Sequence, residues 1–404
     1  MLNIIIPLAG YGGRFLKSGY SRPKPFVLVS GKEIILWLLE NLVFEDTDCL
    51  VLVYNRKPEM GTSPEHFFTV VDEFFARLGR SPQVIYAPLE APTLGAAETA
   101  LHGLQRLHES RMGHPSVLLD GDTFYSADIL TKYRQYILSQ DFSRSSLAEI
   151  RSTGGLVFVF KDDRPLEVPY SYVKVKDEDG KFLKLHAIQE KDKSGMSPLA
   201  CSGCYCFNSS SELLRTISSS IIEFGQTNMV DGNAASKELF TSTIISRAIS
   251  DGGHFDAVVL GRQDFTVLGT PSQLLEFVKT QPVTPRRFCF DLDNTLVSAP
   301  TEAGNYATCK PIEHMIRYVQ ELHAQGHHII IHTARRMRTH AGNIGSVISD
   351  IGALTMKQLK DYCIPHDELI FGKPYADHYI DDKAILALVG NVAIETGMYT
   401  ASTF

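Results

Sequence analysis

The sequence predicts an α/β protein built as two unequal domains. Short β-branched and aromatic runs alternate with helical stretches, which is the pattern of helices layered on a sheet. The chain has 404 residues, 44% hydrophobic and 21% charged, enough for a full core but long for one domain at about 100–200 residues each. The alternation is interrupted at Thr280-Gln281-Pro282-Val283-Thr284-Pro285-Arg286-Arg287, a proline-spaced polar stretch with the composition of a linker. The expected division is therefore 1–279, a linker at 280–286, and 287–404.

Taken in order, Asn3–Pro7, 49–54, 83–87, 116–120, 156–160 and 255–260 are apolar runs short enough to be buried strands. After the linker a new strand, 288–290, is followed by a loop and a helix. That helix opens at Pro311, aligns Ile312, Met315, Ile316, Val319 and Leu322 on one face, and stops before Gly326. The run 328–331 is the next strand.

Charge and cysteine content narrow the function. Thirty-nine Lys and Arg against forty-six Asp and Glu give −7, which excludes a basic surface suited to nucleic acid. The first apolar run is broken by Pro7 and Gly10 and has no basic flank, so neither a signal peptide nor a membrane span is expected. Seven cysteines, an odd number in a long chain, point to free thiols in a cytoplasmic protein. Cys201, Cys204 and Cys206 have a spacing compatible with zinc, but no fourth ligand accompanies them and the segment is equally an extended strand.

The first strand leads into Leu8-Ala9-Gly10-Tyr11-Gly12-Gly13-Arg14-Phe15, and Pro23-Lys24-Pro25 follows. Glycines remove Cβ atoms so that backbone N–H groups can approach an anion, and Arg14 and Lys24 add charge for a polyphosphate. Neither a dinucleotide fingerprint nor a Walker A loop fits, because Phe15 stands where a third glycine is required and no Gly-Lys-Ser/Thr follows. The stretch resembles the G-x-G-x-R loop and P-K-P element of the nucleotidyltransferases, or pyrophosphorylases, that make NDP-sugars and related activated alcohols.

The resemblance continues in order through most of residues 1–278: Thr93-Leu94-Gly95-Ala96-Ala97, Leu119-Asp120-Gly121-Asp122, Glu190-Lys191, Ser202-Gly203-Cys204-Tyr205 and Gly269-Thr270-Pro271. It implies a Rossmann-like, GT-A-like mixed sheet. Catalysis would rest on Arg14 and Lys24. The nucleotide would lie on Leu8, Ala9, Gly10, Gly12, Gly13, Gly95 and Asp120, the acceptor on Glu190, Lys191 and Gly203, and Mg²⁺ on Asp122. The substrates would be an NTP and a phosphorylated sugar or polyol. One position departs from the pattern: Val267 stands where such enzymes often carry a second metal-binding Asp, so either Mg²⁺ relies on Asp122 and the nucleotide phosphates, or nearby Asp264 substitutes, or this domain is weakened.

In the second domain, Asp291 and Asp293 of Phe290-Asp291-Leu292-Asp293-Asn294-Thr295 leave a strand at i and i+2, so both carboxylates share one face. Ile331-His332-Thr333-Ala334-Arg335, Phe371-Gly372-Lys373-Pro374 and Tyr379-Ile380-Asp381-Asp382 follow. The set resembles the HAD phosphatase superfamily across 287–390, locally its small members from capsule and surface-polysaccharide loci. By that resemblance Asp291 is the nucleophile and Asp293 the general acid and base. Thr333 and Lys373 hold phosphoryl oxygens, and Asp291, Asp293, Asp381 and Asp382 surround Mg²⁺.

His327, His328 and His332 are expected to be structural or flanking, and Arg335, Arg336 and Arg338 are either contacts to an anionic substrate or a solvated turn. The interval between Thr295 and Thr333 leaves no room for a large helical cap. An open site of that kind would be roofed by the N-terminal domain or by a second copy in a homo-oligomer. The whole is expected to be a bifunctional enzyme of activated-sugar synthesis. The alternative is a phosphatase whose N-terminal domain only binds nucleotide or sugar phosphate.

Overall fold

In a computed structural model of the chain, all residues are described except 11, 57–63, 81, 141–153, 164–169, 177–180, 232–237, 382, 388–390 and 402–404, and the side chains of 64–67 and 225–231. Two compact units emerge: one of Met1–Phe15, Arg22–Phe26 and Glu33–Gln273, the other of Leu16–Ser21, Val27–Lys32 and Leu274–Phe404.

The strands of the first unit's main sheet are β1 (Asn3–Pro7), β2 (Cys49–Asn55), β3 (Gln83–Leu89), β4 (Ser116–Leu119), β5 (Gly154–Lys161), β6 (Ser171–Val175), β7 (Leu183–Glu190), β8 (Leu199–Phe207) and β9 (His254–Leu260). Among the described residues they form one mixed sheet in the order β3-β2-β1-β4-β8-β5-β9-β7-β6. β3, β2, β1 and β4 run parallel, whereas β8 lies antiparallel to both β4 and β5. The parallel strands are covered on both faces, which is why β1 and β2 are continuous apolar runs instead of alternating ones.

The core packs Ile5, Val51, Val53, Leu118, Val157 and Val159 of this sheet with Ala97, Ala100 and Leu104 of the helix Ala96–Leu104. Leu213 and Ile217 of Ser210–Asp231 and Ile244 and Ile245 of Thr241–Ser250 belong to the same cluster. The connections leave β1 toward β2 and β3, then return to β4 on its other side. The carboxyl ends of β1 and β4 therefore flank the point where the winding reverses, the usual place for a ligand in an open α/β sheet.

The second unit has a parallel sheet of β10 (Arg287–Phe290), β11 (His328–Thr333) and β12 (Glu368–Phe371), in that order. The predicted helix spans Glu313–Ala324, starting after Pro311 and Ile312, and buries Met315, Ile316, Val319 and Leu322 as its spacing requires. These meet Leu292, Leu296, Val297, Ile329, Ile331 and Leu359 in one cluster. The N-terminal stretches of this unit are tied in by polar contacts. Ser30 N–H donates to Gly397 O at 2.9 Å, Arg286 Nη2 donates to Ser30 O at 3.0 Å, and the Tyr20 and Tyr399 hydroxyls meet at 3.1 Å.

Candidate active sites

In the first unit the glycine loop after β1, the turn after β4 and the bulge of β8 line one cavity of about 710 Å³. Leu8, Gly10, Gly12, Gly13, Arg14, Lys24, Asp120, Asp122, Glu190, Lys191 and Gly203 all face it, from segments as far apart as residues 8 and 203. Gly269 and Thr270 close the same cavity, and Val267 lies in its wall. Ala9 and Gly95 are not among the lining residues; Ala96, one position on, is.

Asp120 and Asp122 leave β4 side by side. Lys24 Nζ sits 2.5 Å from Asp122 Oδ2 and 5.9 Å from the Phe15 ring centroid, so an aromatic face and a carboxylate together orient the ammonium. Asp122 is fixed by its own backbone, whose carbonyl accepts Leu268 N–H at 2.6 Å. Burial, with the neighbouring Asp122 charge second, pushes the Asp120 carboxyl up to about 8, against the pull of Lys24.

Gly203 accounts for this crowding. β8 shifts register between Cys201 and Cys204, and Gly203 adopts φ +95° there. A Cβ at that point would stand 2.6 Å from Asp120 Oδ2, so only glycine lets the strand pass the carboxylate. The three cysteines of this strand are buried; the Cys204 and Cys206 sulfurs lie 4.0 Å apart, and burial holds the Cys201 and Cys204 thiols well above their ordinary value. As the extended-strand alternative expected, the segment forms β8; no group of three metal-capable side chains occurs among the described residues.

Glu190, at the end of β7, accepts from Ser242 Oγ at 2.7 Å and from Ser171 Oγ. Lys191 has φ +51°, lies 3.8 Å from Glu190 Oε1 and places its ammonium 4.4 Å from the centroid of Phe240. Ser171, Ser242 and Glu238, which also line the cavity, carried no sequence signal; the two serines meet Glu190 only through strand pairing and the docking of Thr241–Ser250. Asp264 does not reach the cavity: Gly261 N–H donates to its carboxylate at 2.8 Å and closes a local turn.

In the second unit Asp291 follows β10, Thr333 ends β11 and Lys373 follows β12, so all three stand at the carboxyl edge of the parallel sheet. Lys373 Nζ lies 3.0 Å from Asp291 Oδ1 and 4.3 Å from the Tyr379 ring centroid. Lys373 N–H donates to Thr333 O at 3.2 Å, which links the ends of β11 and β12. Burial raises the Asp293 carboxyl above its ordinary value, opposed by Arg335. Burial together with Lys373 lowers His332.

Two expectations change here. Asp381 is exposed in an irregular segment and joins no three-ligand group with Asp291 and Asp293, while Asp382 lies outside the described residues. Arg335 is not a surface contact: it is buried and its guanidinium engages Asp293. His327 is buried and its Nδ1 accepts Arg286 N–H at 3.1 Å, as suits a structural histidine.

No protein-family model matches the chain, and no curated protein does. Solved structures do. A nucleoside-diphosphate-sugar pyrophosphorylase from Vibrio cholerae RC9 matches at 20% identity over 69% of this chain and 100% of that one, with a TM-score of 0.51. The N-terminal part of the chain thus has the fold of that class of nucleotidyltransferases. A UDP-glucose pyrophosphorylase complexed with UDP-glucose covers the same 69% and 97% of its own length, at 15% identity and a TM-score of 0.47. Another Vibrio cholerae structure is 31% identical over 29% of this chain and 91% of its own, with a TM-score of 0.25. No helix among the described residues is long and apolar enough to cross a membrane.

Proposed function

We propose that the first unit transfers a nucleotidyl group from an NTP to a phosphorylated sugar or polyol, releasing pyrophosphate, and that the second hydrolyses a phosphomonoester. The observation that carries the first half is the convergence of the glycine loop, the Lys24–Asp122 pair and Glu190 on one cavity. A polyphosphate on the glycine loop meets backbone N–H groups, Arg14 and Lys24, while Glu190 and its serine neighbours accept and donate to acceptor hydroxyls. The acceptor phosphate oxygen then attacks the α-phosphorus in line as pyrophosphate leaves.

Asp120 and Asp122 are hard oxygen donors whose crowded charge a divalent cation would relieve, and Mg²⁺ commonly takes one or two carboxylates plus phosphate oxygens. Bound there, Mg²⁺ would neutralise charge on the transferring phosphate. Val267 adds no ligand, so this reading gives the carboxylate side of the site to Asp122 and its neighbour.

For the second half the supporting observation is the Asp291–Lys373 pair beside Thr333 at one sheet edge. Asp291 would attack phosphorus, with Thr333 and Lys373 holding the transferring oxygens and Asp293 exchanging the proton. Mg²⁺ would be held by Asp291 together with phosphate oxygens of the substrate.

Point variants of the full chain test the pairing of activities with units. Lys24→Met should abolish NTP-dependent pyrophosphate release and leave phosphate release intact, and Asp291→Asn should do the reverse. Loss of both activities in either variant contradicts the assignment. Nucleotide binding without pyrophosphate release under any acceptor would favour a purely binding N-terminal unit, the reading that Val267 motivates.

A further inference from the structure

Arg335 is the bulkiest of the side chains buried to below 2% exposure, and a guanidinium in that position is tolerated only when its donors are satisfied. They are. Nε donates to Asp293 Oδ1 and Oδ2, each at 3.0 Å, and Nη2 to Oδ1 at 2.9 Å. Nη1 donates to Thr355 Oγ1 at 3.1 Å and to Gln358 Oε1 at 2.8 Å, both on the helix Ala353–Asp361. The Arg335 backbone N–H donates to Thr333 Oγ1 at 3.1 Å.

The bracing continues behind the guanidinium. The Tyr306 ring lies 5.0 Å from its carbon, and Gln358 Nε2 donates to Tyr306 O at 2.6 Å. Helix, loop and strand end thus hold one rigid fork, and that fork grips Asp293, whose side chain keeps 22% of its surface open. With its own side chain 0% exposed, Arg335 touches no substrate.

We propose that Arg335 is a positioning residue that acts through Asp293, holding its carboxyl where it meets the leaving oxygen of a phosphomonoester attacked by Asp291. The proposal rests on the phosphatase reading. In the first step the Asp291 oxygen bonds to phosphorus, the ester P–O bond breaks, and the proton on Asp293 passes to the departing alkoxide. In the second, water adds to phosphorus as the Asp291–phosphorus bond breaks, and its proton returns to Asp293. Both transfers depend on where Asp293 points, and among the described residues the hydrogen bonds that its carboxylate accepts come from this fork.

The leaving group separates positioning from general support of the fold. An alkyl phosphate, such as glycerol phosphate or a sugar phosphate, needs the proton in its first step; p-nitrophenyl phosphate does not, because p-nitrophenolate leaves unaided. In Arg335→Met, kcat/KM for the alkyl phosphate should fall about 100-fold while that for p-nitrophenyl phosphate falls less than about fivefold. Combined with Asp293→Asn, Arg335→Met should add no further loss.

Gln358→Leu keeps the Arg335–Asp293 pair but removes one brace, so it should show the same leaving-group pattern at smaller amplitude, and it guards against poor folding of the Arg335 variant. Equal losses on both substrates, or additive losses with Asp293→Asn, would overturn the positioning role. A wild-type protein that hydrolyses neither substrate would overturn the phosphatase reading itself, and this proposal with it.

Discussion

Replacing Gly203 by alanine tests the geometry of the first unit at its tightest point. The backbone at φ +95° is one that an L side chain rarely adopts, and forcing it costs about 1–2 kcal/mol. The new methyl would also stand 2.6 Å from Asp120 Oδ2 and 3.0 Å from Asp120 Cβ and Cγ. Asp120 has little freedom to retreat, since its N–H donates to Gly203 O at 2.8 Å and its carbonyl accepts Thr123 N–H at 3.3 Å. Overpacking of that kind adds about 1–3 kcal/mol.

The sum, about 2–5 kcal/mol, should lower the melting transition of the first unit by roughly 4–20 °C in calorimetry of the full chain. Gly195→Ala isolates the backbone part, because Gly195 has φ +69° but nothing within 4 Å of its would-be Cβ. It should lower the transition by only a few degrees, corresponding to about 1–2 kcal/mol. Equal shifts in the two variants, or no shift in Gly203→Ala, would refute the account of Gly203 as the residue that lets β8 pass Asp120.

Other outcomes follow from the same contacts. Asp122→Asn should weaken the hold on Lys24 and lower nucleotidyl transfer by a factor on the order of 10² or more, measured as pyrophosphate release at saturating NTP. Thr333→Val should cost phosphate release while leaving pyrophosphate release unchanged, as assayed side by side on one preparation. In the second unit the Ile329 N–H lowers the Asp367 carboxyl, and His328, then Arg287, lowers that of Glu368. A carboxyl lowered on folding stabilises above its ordinary value and loses that contribution as pH falls through the lowered one. Acid unfolding monitored below about pH 4.5 should therefore be less steep in Glu368→Gln than in the wild type.

The strands were legible because burial on both faces writes continuous apolar runs, as in β1 and β2. The glycine loop, Lys24 and Asp122 were legible as residue types, but their pairing was not: Lys24 and Asp122 are 98 positions apart and meet only through the winding of the sheet. β6 and β7 escaped notice since their runs are short or alternate with exposed positions. Arg335 misled for a physical reason. A basic cluster after a strand usually lies in solvent, and nothing local to it announces a carboxylate 42 residues earlier and a Gln 23 residues later as its partners.

The central claim is that the cavity at the β1 and β4 ends performs nucleotidyl transfer. The most direct measurement is pyrophosphate release by the full chain with Mg²⁺, across CTP, GTP, UTP, ATP and dTTP, each paired with sugar, heptose and polyol phosphates. The account predicts release that requires both an NTP and an acceptor, disappears in Lys24→Met and persists in Asp291→Asn. No release with any pair, or release that survives Lys24→Met, would contradict it.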